Sequence, residues 1–129
     1  MDTSIMVCLV LLFTFAASVV AMNSTGDACG VCECIEHLHA VICTGKGLRE
    51  LPSGIPNDTV SLELGDNFLH EIPYDSLLEF KSLIKINLTN NLIEKPFGLP
   101  ESVKFLHADG NRLQDIKPIV KNGIHLLSV

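Results

Sequence analysis

Four closely spaced cysteines are the residues of this 129-residue chain whose types and spacing could do chemistry. They follow the pattern Cys29-x2-Cys32-x-Cys34-x8-Cys43. Four cysteines can form two disulfides, and three different pairings are open to them. Cys-x-x-Cys is also a zinc-binding spacing, and His37 and His39 lie between the third and fourth cysteines. A zinc site is therefore the alternative to disulfides.

The start of the chain bears on this choice. Residues 5–21 form an uncharged apolar run of 17 that ends in Ser18-Val-Val-Ala21. This predicts a secretory signal peptide cleaved after Ala21, which would also remove Cys8. Residues 1–4 carry no Lys or Arg, so an uncleaved membrane anchor is the alternative, but the run is shorter than the roughly 20 residues of a spanning helix. A secreted chain enters an oxidising compartment, so we expect disulfides, no metal and no cofactor.

The other polar residues form no catalytic motif. The five His residues are scattered, and no Ser, Asp or Cys stands in a pattern that would activate a nucleophile. His107 and Asp109 would share a strand face, but such pairs are more often solvated surface. The formal net charge of −6 becomes −5 when Asp2 leaves with the signal. The lack of a catalytic motif predicts that the protein is not an enzyme, and because phosphate binding needs a basic patch, we expect no nucleic-acid partner.

A recurring sequence pattern, called the repeat phrase below, predicts the secondary-structure elements that position these residues. Its first copy reads Leu62-x-Leu64-x-x-Asn67-x-Leu69, and the copies beginning at Ile86 and Leu106 follow after 24 and 20 residues. A fourth copy starts at residue 124, and the chain ends within it. Repeats of this period predict a solenoid of stacked coils.

Each copy has a physical interpretation. In the first, Leu62 and Leu64 point into the core of a short strand while Glu63 points outward. Each asparagine follows at the turn out of the strand, where its amide can bond backbone groups that the turn leaves unpaired. Stacking the coils would place three of them in one buried ladder: Asn67, Asn91 and Asn111.

The cysteine cluster followed by Leu48-x-x-Leu51-Pro52 and these repeats resembles the N-terminal flanking module of extracellular leucine-rich-repeat proteins. The resemblance implies the pairs Cys29–Cys34 and Cys32–Cys43. It also implies the fold, a leucine-rich-repeat solenoid of the α/β type. A parallel β-sheet would form the concave face, with an irregular or short-helical convex side and an N-terminal disulfide-bonded cap.

The expected domain organisation has four parts. Residues 1–21 are the signal peptide, 22–28 a short linker, 29–58 the cysteine-rich cap, and 59–129 three repeats plus the start of a fourth. Ending inside a repeat suggests a fragment or a truncated form. Past Ala21 no segment is apolar enough for membrane insertion.

The unequal repeat steps resemble the long and short repeats of small leucine-rich proteoglycans, as does the turn beginning Leu99-Pro100. That resemblance implies a secreted, non-catalytic protein of the extracellular matrix whose protein ligands are collagen or growth factors. The alternative is the N-terminal part of the ectodomain of a leucine-rich-repeat cell-surface receptor.

The outward positions of the predicted strands, centred on Glu63, Asn87 and His107, are the candidate ligand-binding surface. We expect Glu63, Lys85 and His107 to lie in one aligned column. Phe105 is either a binding anchor or a side chain folded over the neighbouring coil. The candidate ligand-binding residues are Glu63, Lys85, Asn87, Phe105 and His107.

Three N-x-[ST] sequons predict glycosylation at Asn23, Asn57 and Asn87. Asn23 and Asn57 lie in segments that we expect to be exposed. Asn87 would stand on the concave strand surface, where a glycan would partly block binding.

Overall fold

The computed structural model describes residues 27–119 and 125–128. The predicted signal peptide and Asn23 lie outside these residues. Six strands form one sheet in chain order, with β1 antiparallel to β2 and every later pair parallel. The elements are α1 (Ala28–Val31), β1 (Glu33–Ile35), a 3₁₀ helix (Glu36–Leu38), β2 (Ala40–Ile42), β3 (Ser61–Glu63), β4 (Lys85–Asn87), β5 (Phe105–His107) and β6 (His125–Ser128).

The repeat phrase explains why the strands stack in this order. The central residue of β3, β4 and β5 points into the core, so that Leu62, Ile86 and Leu106 pair side by side with no exposed surface. The chain then returns behind the sheet through turns, and both described helices lie in the cap. The leucine-rich-repeat solenoid with an irregular convex side is confirmed. None of the helices in the described ranges is long and apolar enough to span a membrane.

One apolar core runs through all the described coils. Its largest side chains without solvent contact include Leu69, Leu77, Leu83, Ile93 and Phe97. Since no single coil can bury its apolar edge, each coil depends on its neighbours for this burial.

The predicted asparagine ladder joins successive coils, although Asn111 is only half-buried whereas Asn67 and Asn91 are 4% exposed. In the middle rung, Nδ2 of Asn91 donates to Leu64 O of the preceding coil at 2.9 Å and to Leu88 O at 3.0 Å. Its Oδ1 accepts from Leu69 N of the preceding coil at 3.0 Å. The same three kinds of bond recur at the other two rungs.

The cap contributes a coil of its own. Its disulfides join Cys29 to Cys34 and Cys32 to Cys43, the pairing that the family resemblance implies. Strand β2 pairs in parallel with β3, and Val41 is buried beside Leu62. The sequence analysis did not assign this strand, although Val41-x-Cys43 repeats Leu62-x-Leu64 at a distance of 21 residues.

The cap also includes the end of the expected linker. The Ala28 N–H donates to Ser53 O at 2.6 Å, and Ala28 is fully buried. Asp27 precedes α1 as its N-cap, and its side chain accepts from Cys29 N. These contacts fasten the first described residues to the chain segment just before the first repeat.

The prediction of one column containing Glu63, Lys85 and His107 is wrong. Glu63 pairs with Asn87, which pairs with His107, whereas Lys85 pairs with Ser61 and Phe105. Lys85 lies two residues before Asn87 in the same strand, so it belongs to the neighbouring column. The strands also end at Glu63, Asn87 and His107 instead of being centred on them, because the chain begins to turn directly afterwards.

Candidate functional site

The concave face presents two columns of outward side chains. The first column contains Ser61, Lys85 and Phe105, and the second contains Glu63, Asn87 and His107. All five predicted ligand-binding residues therefore lie on one surface. Phe105 is 38% exposed and Lys85 extends toward solvent, while Glu63, Asn87 and His107 are half-buried.

Glu63 is the centre of a polar network on this surface. Lys85 Nζ lies 2.9 Å from Glu63 Oε1, and Ser61 Oγ donates to the same oxygen at 3.2 Å. Burial by itself raises the pKa of Glu63, but hydrogen bonds from Lys85, Asn87 and Ser61, together with the Lys85 charge, outweigh it. The pKa of Glu63 is therefore lowered, and the carboxylate is held ionised.

The network continues where the strands end. Asn87 Oδ1 accepts from Thr89 N at 3.0 Å, and Thr89 Oγ1 donates to Asp109 Oδ1 at 3.0 Å. One step further, Asn90 Nδ2 donates to Asp66 Oδ1 at 2.9 Å. This half of the concave face is thus polar and largely satisfied by its own hydrogen bonds.

The residues that precede the strands form the opposite, more apolar half. We name the residues His39, Val60, Ile84 and Lys104 the leading row. Val60 is half-buried and Ile84 is 41% exposed. Ile84 lies one strand from Phe105, and Val60 lies two strands from it. The sequence analysis did not single out Ile84. Its outward position directly after the buried Leu83 was the available signal.

A cleft of about 430 Å³ opens in the cap at the end of the leading row. Its walls include Cys34, Ile35, Glu36, His39, Pro56 and Asp58. His39 Nδ1 and Asp58 Oδ2 are 2.9 Å apart on this wall. Sequence reasoning did not find the cleft, because it forms only when the turn before β3 lies against the cysteine module.

The two histidines of the alternative zinc interpretation lie apart from any ligand set. His37 is exposed in the 3₁₀ helix, His39 contacts Asp58, and all four cysteines are in disulfides. Within residues 27–119 and 125–128, no group of three or more His, Cys, Asp or Glu side chains could hold a metal ion.

The two described sequons differ in their surroundings. Asn57 is exposed in the turn before β3 and makes no side-chain hydrogen bond among those of the described residues. Asn87 is half-buried, and both ends of its amide are engaged, with Thr89 N and with Glu63. A glycan on Asn87 would have to leave the concave face from within this network.

A parallel sheet built from the repeated phrase, an asparagine ladder and a disulfide-bonded cap define a leucine-rich-repeat protein, and this chain is one. No family model matches it. Proteins similar to it in sequence are also leucine-rich-repeat proteins. Leucine-rich repeat-containing protein 3 of Danio rerio is 31% identical over 114 residues, covering 82% of this chain and 43% of the relative.

Other relatives come from different kinds of leucine-rich-repeat protein. Toll-like receptor 7 of Mus musculus is 31% identical over 114 residues, covering 74% of this chain and 11% of the receptor. Biglycan of Sus scrofa is 29% identical over 112 residues, covering 67% of this chain and 40% of biglycan. The chain therefore spans less than half the length of each of these relatives.

Proposed function

We propose that the protein is a secreted, non-catalytic binding protein of the extracellular matrix, of the small leucine-rich proteoglycan type. Its ligands are proteins, with collagen or a growth factor as the expected class. The likeness to biglycan supports this type, and the two disulfides support an oxidising, extracellular environment.

The observation that carries the proposal is the open concave sheet. Its first column presents Lys85 and Phe105 to solvent side by side in paired strands. Large aromatic rings are enriched at the centre of protein interfaces, and charged groups such as the Lys85 ammonium are typical of the polar rim. A surface of stacked parallel strands suits an extended protein ligand.

A collagen-binding experiment tests the proposal. The secreted protein is passed over immobilised fibrillar collagen, and its binding is compared with that of Phe105→Ser and of Tyr74→Ser. Tyr74 is the matched control, since it is 55% exposed but lies outside the concave columns. We expect Phe105→Ser to weaken binding about tenfold, with Tyr74→Ser unchanged. Equal binding by all three proteins would contradict the concave site.

Secretion and glycosylation are tested together. The protein expressed in animal cells should appear in the medium with Met22 as its first residue. Treatment with a glycosidase that removes N-linked glycans should increase its gel mobility. Asn57→Gln should remove one glycan, because Asn57 is the exposed sequon of the two described. Retention of residues 1–21 would instead support a membrane anchor.

The second candidate is the N-terminal part of a cell-surface receptor ectodomain. The alignment with Toll-like receptor 7 favours it. The full-length natural product decides between the two, because a matrix protein is recovered from the medium and a receptor from the washed membrane fraction.

A further inference from the structure

The leading row is a continuous line of backbone across the coils. The Val60 N–H donates to His39 O at 2.7 Å, the Ile84 N–H to Val60 O at 2.8 Å, and the Lys104 N–H to Ile84 O at 2.8 Å. The Phe105 N–H also donates to Ile84 O, at 3.1 Å. Phe105 directly follows Lys104, so it is the next residue after the leading row. A partner lying along this line would cross the strands from the cap to β5.

The side chains along this line are arranged by polarity. Its middle is apolar, with Val60, Ile84 and Phe105 outward. The polar groups of the second column are already bonded to one another, so covering them removes water from groups that gain little in exchange. The side chains of Ile84 and Phe105 carry no polar group, so removing water from them is favourable.

The two ends of the line carry opposite charge. At the cap end, Glu36 and Asp58 line the cleft. At the other end, Lys104 is exposed. Among the ion pairs of the described residues, neither Glu36 nor Lys104 takes part in one. The nearest charged or titratable partner of Asp58 is His39, and Glu36 lies outside this pair.

We propose that the leading row is the docking line for an extended segment of a partner protein that is basic at one end, apolar in the middle and acidic at the other. The basic end meets Glu36 and Asp58 at the cleft, the apolar residues cover Val60, Ile84 and Phe105, and the acidic end meets Lys104. This rests on the proposed function, because it names the chemistry of the ligand that the concave sheet binds.

The geometry sets the length of this segment. Neighbouring strands lie about 4.8 Å apart, so the line from β2 to β5 is about 14 Å long. An extended chain covers that distance with about four residues at about 3.3 Å each. Adding charged residues beyond both ends makes a heptapeptide a sufficient probe.

Synthetic peptides with blocked termini test the proposal by fluorescence anisotropy on the intact secreted protein. The probe has two arginines, a Val-Phe-Val centre and two glutamates. Two control peptides keep the centre and carry either arginines or glutamates at both ends, and a third replaces the centre with serines. We expect the probe to bind at least about fivefold more tightly than each control. No measurable binding of the probe up to about 1 mM would overturn the proposal.

Protein variants locate the site. Ile84→Ser should weaken probe binding about fivefold or more, and Phe68→Ser is its control, because Phe68 is 56% exposed but lies outside the leading row. Lys104→Glu should reverse the preference, so that the peptide with arginines at both ends binds best. An unchanged preference in Lys104→Glu, or equal losses in Ile84→Ser and Phe68→Ser, would overturn the docking line.

The outcome separates this proposal from the proposed function. If collagen binding depends on Phe105 but is unaffected by Ile84→Ser and Lys104→Glu, the concave sheet binds its ligand and the docking line is wrong. If the unsubstituted protein binds no collagen, the proposed function itself fails for that ligand, and if it binds but none of these three variants changes the binding, both the concave site and the docking line are wrong.

Discussion

Replacing Asn91 by alanine should reveal how much the ladder stabilises the stack. Besides a long bond of 3.4 Å to Thr89 O, the change removes one bond accepted from Leu69 N and two donated to Leu64 O and Leu88 O. Both carbonyls keep a second partner, since the neighbouring rungs Asn67 and Asn111 also donate to them. The Leu69 N–H has no such substitute among the hydrogen bonds of the described residues.

The magnitude follows from this count. An orphaned buried N–H costs about 1–3 kcal/mol, and each of the two lost bonds contributes about 1 kcal/mol. Asn91→Ala should therefore lower the free energy of unfolding by about 3–5 kcal/mol. This is a large part of the roughly 5–15 kcal/mol that a domain of this size has.

Urea unfolding followed by circular dichroism, with the disulfides intact, measures this difference. Asn111→Ala is the graded comparison and should cost about 1–2 kcal/mol, because Asn111 itself is half-buried, so that water can enter the space its side chain leaves and bond the Ile93 N–H. Gln114→Ala, at an exposed amide, should stay within about 0.5 kcal/mol. The reasoning would be refuted by a loss below about 1 kcal/mol for Asn91→Ala, or by equal losses at Asn91 and Asn111.

Three further outcomes are expected. Gly110→Ala should cost about 1–2 kcal/mol more than Gly45→Ala in the same urea assay. The Cβ added at Gly110 would clash with Asn90 Oδ1 of the preceding coil, whereas a Cβ added at Gly45 meets nothing within 4 Å. Equal costs would exclude that clash. Because the pKa of Glu63 is lowered by folding, its ionised carboxylate stabilises the fold at pH values above its ordinary pKa of 4.5. This stabilisation is lost as the pH falls from 4.5 through the lowered pKa of the folded state. Lys85→Met should raise the Glu63 pKa in a carboxyl NMR titration, and an unchanged value would contradict the ion pair. Strong reductant should lower the thermal midpoint by about 10 °C or more, and an unchanged midpoint would contradict the disulfide-bonded cap.

The stack itself was predictable because its determinants are local in the sequence. Leu62-x-Leu64 specifies a strand with one buried face, and Asn67 three residues later specifies the turn that ends it. Repetition of this phrase fixes which strands are neighbours. The inward side chains and the ladder follow from spacing alone.

The surface was less predictable because its contacts cross between coils. The ion pair between Glu63 and Lys85 runs diagonally between two columns, and a column assignment from the sequence placed the two residues in one line. The cap strand containing Val41 was missed because Cys43 took the place of the leucine in the repeat phrase. The cleft depends on how Asp58 and the cysteine module approach each other, which no local pattern encodes.

The division of the concave face also argues for where binding energy can arise. Glu63, Lys85 and Asn87 already satisfy one another, and a ligand that displaced them would have to replace each bond that it broke. Ile84 and Phe105 have exposed apolar side chains, so a ligand that covers them removes apolar surface from water. The polar half is therefore better suited to rejecting unmatched ligands, and the leading row to supplying affinity. Lys85→Met should then change which ligands bind more than how tightly the best ligand binds, whereas Ile84→Ser should weaken every ligand of this surface.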